Sequence, residues 1–219
     1  MSRRFWFIGG IVMLIFAGLS GAAQVILPRV LPLPVYATLP ELTLRDQDNR
    51  PFDLARTRGQ IVVLSVVYTH CPDICPLTTA RLHGLQTQLQ QAGLSHTVYF
   101  VSFTIDPARD LPLTLKRFAE AQQVDFSNWS FLAGSEAQTQ TLIQTLSLYV
   151  ERVYDLDGTL VPAGELSRPA PPGTDYLVNH TDRVFIVDRK GDVRAFEPGS
   201  TADLEQAKQW IRQLQNEPN

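Results

Sequence analysis

The first hydrophobic feature of the chain is a charge-free run from Phe5 to Ala23, preceded by Ser2-Arg3-Arg4. Its length is about what a bilayer-spanning helix needs, and the paired arginines favour a cytoplasmic N-terminus. Gly21-Ala22-Ala23 also offers a signal peptidase small residues, so a cleaved signal peptide competes with a retained anchor over 1–23. The run is long for a signal core, which favours the anchor. Either way the remainder is exported, and the absence of an Arg- and Ser-rich presequence argues against an organellar transit peptide. Residues 24–40, with Pro28, Pro32, Pro34 and Pro40 in no period, read as a semi-extended tether.

Beyond the tether, apolar patterning alternates between strand and helix. Leu42-Thr43-Leu44 and Pro51-Phe52-Asp53-Leu54 flank the turn-rich Asp46-Gln47-Asp48-Asn49 and predict a hairpin. The run 61–67 (IVVLSVV) is nearly continuous in apolar and β-branched residues, as in a strand buried on both faces. Leu77, Leu82, Leu85 and Leu89 give a helical face ending near Gly93, and 97–105 (TVYFVSFTI) is a second buried strand. A helix over 113–123, a short strand at 130–132 and a helix with Leu142, Ile143 and Leu146 inward follow. The proline cluster at 162–172 (Pro162, Pro169, Pro171, Pro172) reads as one irregular loop. Residues 183–188 and 192–196 flank Arg189-Lys190-Gly191 as a hairpin, and a helix over 201–214 closes the chain. Parallel strands with crossover helices and a terminal antiparallel hairpin predict an α/β fold: a thioredoxin-like mixed sheet flanked by helices, over 41–217.

Composition narrows the function. A net charge of -3 with 44% hydrophobic and 19% charged residues describes one ordinary globular domain. There is no Lys/Arg-rich run, so nucleic acid is not an expected partner. The chain has only two cysteines, and both lie in Tyr68-Thr69-His70-Cys71-Pro72-Asp73-Ile74-Cys75-Pro76, between the first buried strand and its helix. Unpaired N–H groups and the positive end of the helix dipole favour a thiolate at such a turn. A thiolate is the nucleophile of disulfide exchange and also the soft ligand copper(I) prefers. C-x-x-x-C is one residue longer than the usual dithiol oxidoreductase spacing, which leaves a disulfide open and makes a two-sulfur metal clamp equally natural. A purely structural disulfide closing so short a loop would remove little unfolded-state entropy.

Two sulfurs leave a copper site incomplete. Met1 and Met13 lie at the N-terminus and within the apolar run, so a histidine is the expected third ligand. His70 adjoins Cys71 but points the other way in an extended chain, whereas His83 and His96 read as surface or structural residues. His180, in Asp175-Tyr176-Leu177-Val178-Asn179-His180, could reach the cysteine loop if the strand after it neighbours the strand 61–67. Asp73 could tune the site from outside. Asp106 and Asp110 suit capping or structural roles better than copper(I) ligation, and Arg109 is a candidate for partner recognition.

Three segments, Tyr68 to Pro76, Ser102-Phe103-Thr104-Ile105-Asp106-Pro107-Ala108-Arg109-Asp110, and Asp175 to His180, together with the N-terminal run, resemble the Sco/SenC proteins over nearly the whole chain. The resemblance implies a membrane-tethered thioredoxin fold holding one copper ion, Cu(I) or Cu(II), through Cys71, Cys75 and His180. It further implies delivery of copper to the CuA site of cytochrome c oxidase subunit II, or maturation of that site, at the periplasmic face of the bacterial inner membrane, with other periplasmic copper carriers as further partners. A metallochaperone is thus expected more than an enzyme. The alternative is a thiol–disulfide oxidoreductase in which Cys71 and Cys75 form the redox dithiol and reduce the cysteines of such a partner. The segment 156–174 departs from the family pattern, which bears on partner choice and on the mobility of His180. No Thr-x-x-Cys motif supports a peroxidase.

Overall fold

The computed structural model describes residues 31–165 and 173–218, and the fold is that of the unit Leu33–Asn219. The expected anchor and Pro169, Pro171 and Pro172 lie outside the described residues. Among the described residues no helix is long and apolar enough to cross a membrane.

Six strands form the central sheet: β1 (Ala37–Thr38), β4 (Ile61–Val67), β5 (Val98–Thr104), β6 (Trp129–Leu132), β10 (Val184–Val187) and β11 (Asp192–Glu197). Their spatial order is β1-β11-β10-β4-β5-β6. The pairs β4–β5 and β5–β6 are parallel, whereas β10 runs antiparallel to both β4 and β11. A hairpin of β2 (Thr43–Arg45) and β3 (Pro51–Asp53) precedes it. Four helices connect or follow these strands: α1 (Ile74–Gln91), α2 (Pro112–Ala121), α3 (Glu136–Thr145) and α4 (Leu204–Asn216). All seven residues of β4 are buried, so its continuous Val/Ile/Leu run is covered on both faces, as the sequence pattern requires. The expected mixed α/β sheet flanked by helices is the fold observed.

Local chemistry sets the element ends. Helix α1 stops where Gly93 takes φ +72, so that Leu94 N–H reaches Leu89 O and Gly93 N–H reaches Gln90 O. This satisfies carbonyls that the last turn would otherwise leave open. Helix α3 starts at a capping box in which Ser135 and Gln138 exchange side-chain and backbone bonds. The hydroxyls inside the sheet are paired: Ser65 and Ser102, opposite each other on β4 and β5, lie 2.8 Å apart, and Trp129 Nε1 donates to Ser102 Oγ at 3.0 Å.

Two regions differ from the sequence reading. Tether residues 31–40 include β1, whose flanking groups bond to β11 and the residue before it, Tyr36 N–H to Val193 O and Leu39 N–H to Gly191 O. Sheet pairing therefore begins before residue 41. The larger difference follows α3, where the pattern predicted no strand ahead of the 183–196 hairpin. Instead β7 (Val150–Leu156), β8 (Thr159–Pro162) and β9 (Tyr176–His180) make a separate three-stranded antiparallel sheet in the order β8-β7-β9. The β7–β8 turn is Asp157-Gly158, with φ +54 and +84, the backbone a two-residue hairpin requires. The two strands carry little buried apolar surface, and the Asp-Gly pair was the one local sign of the hairpin.

Phe100 on β5 is fully buried, with its ring 5.0 Å from that of Trp129. Phe100→Ala should therefore lower unfolding free energy by about 3–5 kcal/mol in equilibrium denaturation. A loss below about 1 kcal/mol would contradict this packing.

Candidate metal centre

The site grows from the carboxyl end of β4, where the chain passes through Tyr68-Thr69-His70-Cys71 before α1 begins. Asp73 occupies the N-cap position but makes no side-chain cap bond, so it leaves the first N–H groups of α1 available. Cys71 Sγ takes one of them, accepting from Cys75 N–H at 3.3 Å. The Cys75 thiol, the Asp73 N–H and the Tyr68 hydroxyl also direct hydrogen bonds at this sulfur. Led by the Cys75 thiol, they outweigh burial and lower the Cys71 pKa to about 5. Cys75 has the opposite fate. It is 2% exposed, and its bond to Cys71, its burial and the neighbouring negative charge push its thiol far above the ordinary value. Neutral pH thus finds one thiolate and one thiol sharing a proton contact.

His180 arrives from the other sheet. It ends β9, paired in register with Val150 of β7, and the chain then crosses into β10 beside β4. The neighbouring of these two strands, the condition for His180 to approach the cysteines, is therefore met. His180 Nδ1 lies 3.0 Å from Thr181 O. A carbonyl can only accept, so Nδ1 carries a proton and Nε2 is the ring nitrogen left for a metal. That Nε2 lies 3.9 Å from Cys75 Sγ. The buried Tyr68 presents its ring edge-on to the imidazole, with centroids 5.7 Å apart at 87°. Burial first, and then the Cys71 charge, raise the Tyr68 pKa and keep its hydroxyl a donor.

The other sequence candidates lie elsewhere. His70 is exposed with Nδ1 3.5 Å from Thr69 Oγ1, His83 is half-buried on α1, and His96 is exposed. The Asp73 side chain is exposed, and its contribution to the thiolate comes from the backbone. Asp106 and Asp110 are fully buried, with bonds that run to protein groups. Asp110 accepts from Thr69 N–H at 3.0 Å, Thr69 Oγ1 at 2.6 Å and Thr104 Oγ1 at 2.6 Å. Asp106 accepts from Tyr176 Oη at 2.8 Å and Arg109 Nε at 2.6 Å. The Arg109 guanidinium lies 3.5 Å from the centroid of the Tyr176 ring. Among the described residues no three His, Cys, Asp or Glu side chains yet converge to ligating distance. Three residues escaped sequence reasoning: Tyr68, whose aromatic ring ends a buried strand, and Thr181 and Asp182 beside His180. Only the polar run His180-Thr181-Asp182 ahead of an apolar strand hinted at the last two.

A mixed sheet with a half-ionised dithiol at its first strand-to-helix turn, faced by an imidazole, defines a thioredoxin-like thiol protein with a third donor. The SCO1/SenC family model matches residues 34–216, and the chain belongs to that family. It is 33% identical over 166 residues, 76% of this chain and 72% of the other, to a "Putative copper-binding protein" of Stutzerimonas stutzeri. It spans between 51% and 72% of the length of the first curated relatives it matches. A crystal structure of a SCO1/SenC family lipoprotein from Bacillus anthracis matches with TM-score 0.67 and 25% identity over 82% of this chain and 96% of that one. BsSco, described as a member of the Sco family of cytochrome c oxidase assembly proteins, shares the fold with TM-score 0.64 and 22% identity over 85% and 99% of the two chains.

The asymmetry of the dithiol can be measured. In the reduced, metal-free protein, alkylation of one cysteine should rise through a midpoint near pH 5 and level off by about pH 7, because the Cys71 pKa lies well below the ordinary thiol value. Cys71→Ser should remove this phase. Cys75→Ala should move it upward by removing the first hydrogen-bond donor. A single midpoint above pH 8 would refute the asymmetry.

Proposed function

We propose that the protein holds one copper ion, as Cu(I) or Cu(II), through Cys71, Cys75 and His180, and delivers it to a thiolate-rich acceptor. The supporting observation is the approach of His180 Nε2 to within 3.9 Å of Cys75 Sγ, across 105 residues of chain. Metal–thiolate and metal–imidazole bonds of roughly 2.3 and 2.0 Å to a shared ion place the two donors about 3.5–4 Å apart. The donors suit this cargo: two soft sulfurs and one imidazole already in the metal-binding tautomer. Cys71 enters as a thiolate, and Cys75 gives up its proton on binding, so loading releases about one proton at neutral pH. The half-exposed Cys71 and the deeper Cys75 give an acceptor thiolate one accessible ligand to displace first.

The oxidase assembly role described for BsSco makes the CuA site of cytochrome c oxidase subunit II the acceptor in this reading, with other periplasmic copper carriers as further partners. Residues 1–23 would anchor the chain as a single pass in the bacterial inner membrane, with 24–40 as tether and 41–217 on the periplasmic side. A membrane attachment agrees with the lipoprotein nature of the Bacillus anthracis relative.

One observation favours a second reading, as a thiol–disulfide oxidoreductase. An accessible low-pKa thiol beside a buried high-pKa one is the arrangement of an attacking and a resolving cysteine. The Cys71 thiolate would attack a partner disulfide and release one partner thiolate. Cys75, on losing its proton, would then displace the second, leaving Cys71–Cys75 oxidised and the partner reduced by two electrons.

Titration of the reduced protein with copper(I) against a competing chelator should show one equivalent bound. His180→Ala should weaken binding at least tenfold, and the Cys71→Ser/Cys75→Ser double variant should abolish it. Unchanged binding in the double variant would place the site elsewhere. In a strain lacking the protein, oxidase activity restored by Cys75→Ser or His180→Ala only at high copper supports delivery. Rescue by His180→Ala at low copper, with a mixed disulfide trapped by Cys75→Ser, supports the reductase.

A further inference from the structure

Between β9 and β10 the chain steps from the three-stranded sheet to the central one, and the residue at the step is Asp182. Its carboxylate is held from two directions. Oδ2 accepts the N–H of Ser200 at 2.7 Å, and Oδ1 accepts from Thr78 Oγ1 at 3.4 Å. Its carbonyl accepts the N–H of Gly199 at 3.4 Å. Thr78 is buried three residues after Cys75, on the same face of α1. The carboxylate therefore bridges the helix that carries Cys75 and the turn between β11 and α4.

Gly199 shows how closely the three elements are fitted. A Cβ at that position would collide with Asp182 Oδ1 and come within 2.9 Å of Thr78 Cγ2. On the other side, Thr181 N–H donates to Tyr149 O at 2.9 Å and Thr181 Oγ1 accepts from Tyr149 N–H at 3.0 Å. The two residues after His180 are thus pinned, one to the strand beside it and one to the cysteine helix. The Thr181 carbonyl that orients the imidazole lies between these pins.

We infer that Asp182 is a positioning residue for the metal centre: by tying the His180 segment to Thr78 of α1 and to the Gly199-Ser200 turn, it fixes His180 Nε2 relative to Cys75 Sγ. The inference rests on the ligand set Cys71, Cys75 and His180 proposed above. The carboxylate's bonds to Thr78 and Ser200 fix the place of a ligand that would otherwise swing on a strand-to-strand connection. Groups bonded directly to a ligand commonly change metal affinity 10- to 100-fold, and Asp182 holds the segment that carries such a group, the Thr181 carbonyl.

A double-mutant cycle on the full-length protein in detergent tests this, with copper(I) and a competing chelator as probe. Asp182→Ala should weaken copper binding about 10- to 100-fold when His180 is present and by less than about twofold in the His180→Ala background. Asp182→Asn, which keeps an acceptor for Ser200 N–H, should restore most of the affinity. In the metal-free protein, imidazole NMR should show the single Nδ1–H tautomer of His180 becoming a mixture in Asp182→Ala and persisting in Asp182→Asn. Gly199→Ala, which crowds the carboxylate without removing a bond donor, should reproduce the Asp182→Ala pattern and serves if that variant is poorly folded. Equal losses with and without His180, or an unchanged imidazole spectrum, would overturn the proposal while the ligand set stands. No effect of His180→Ala itself would remove both.

Discussion

The antiparallel pairing of β10 with β4 is the constraint on which the site depends. Val184 lies opposite Ser65 and Val187 opposite Val62, so the start of β10 sits beside the end of β4. Tyr68 and the cysteine loop leave at that end, and the His180 segment enters there. A parallel arrangement would place the histidine at the far edge of the sheet, more than a strand length of roughly 13 Å away. Nothing local to either motif can supply this proximity.

Given that pairing, the chemistry follows from unequal hydrogen bonding and burial of two identical side chains. Cys71 lies ahead of α1, where the Cys75 thiol, two N–H groups and the Tyr68 hydroxyl converge on its sulfur. Cys75, one helical turn later, faces the core among the same leucines that hold α1 to the sheet. One sulfur is stabilised as an anion, the other as a thiol that donates to it. Metal loading and disulfide exchange both begin from this half-ionised pair, so the protein's two candidate activities share a resting state.

The buried aspartates support the frame without entering the site. Asp110 costs desolvation, which raises its pKa, and that cost is offset by three hydrogen bonds from Thr69 and Thr104. Those bonds fix the residue two positions before Cys71. Asp106 does the corresponding work on the other side, where its bonds to Arg109 and Tyr176 hold the strand leading to His180. The segment Asp106–Asp110 therefore touches both halves of the centre, although neither carboxylate is directed at a sulfur.

How much of this could be read in advance divides along physical lines. Nearly continuous apolar runs determined β4 and β5, because a strand buried on both faces leaves few polar positions. Helical spacing with Gly93 determined α1 and its end, and the Cys–Pro–Cys–Pro stretch announced the strand-to-helix thiol turn. These signals are local, carried by consecutive residues. The sheet β8-β7-β9 left only the Asp157-Gly158 turn as a local signal, because its strands are largely half-exposed and their pairing outweighs weak propensity. Which histidine meets the cysteines, which thiol ionises and what Asp182 holds in place depend on contacts between residues tens to more than a hundred positions apart. Sequence determined the donors; only the tertiary structure decided which of them face one another, because proximity across a sheet is set by strand order, and strand order is not a local property.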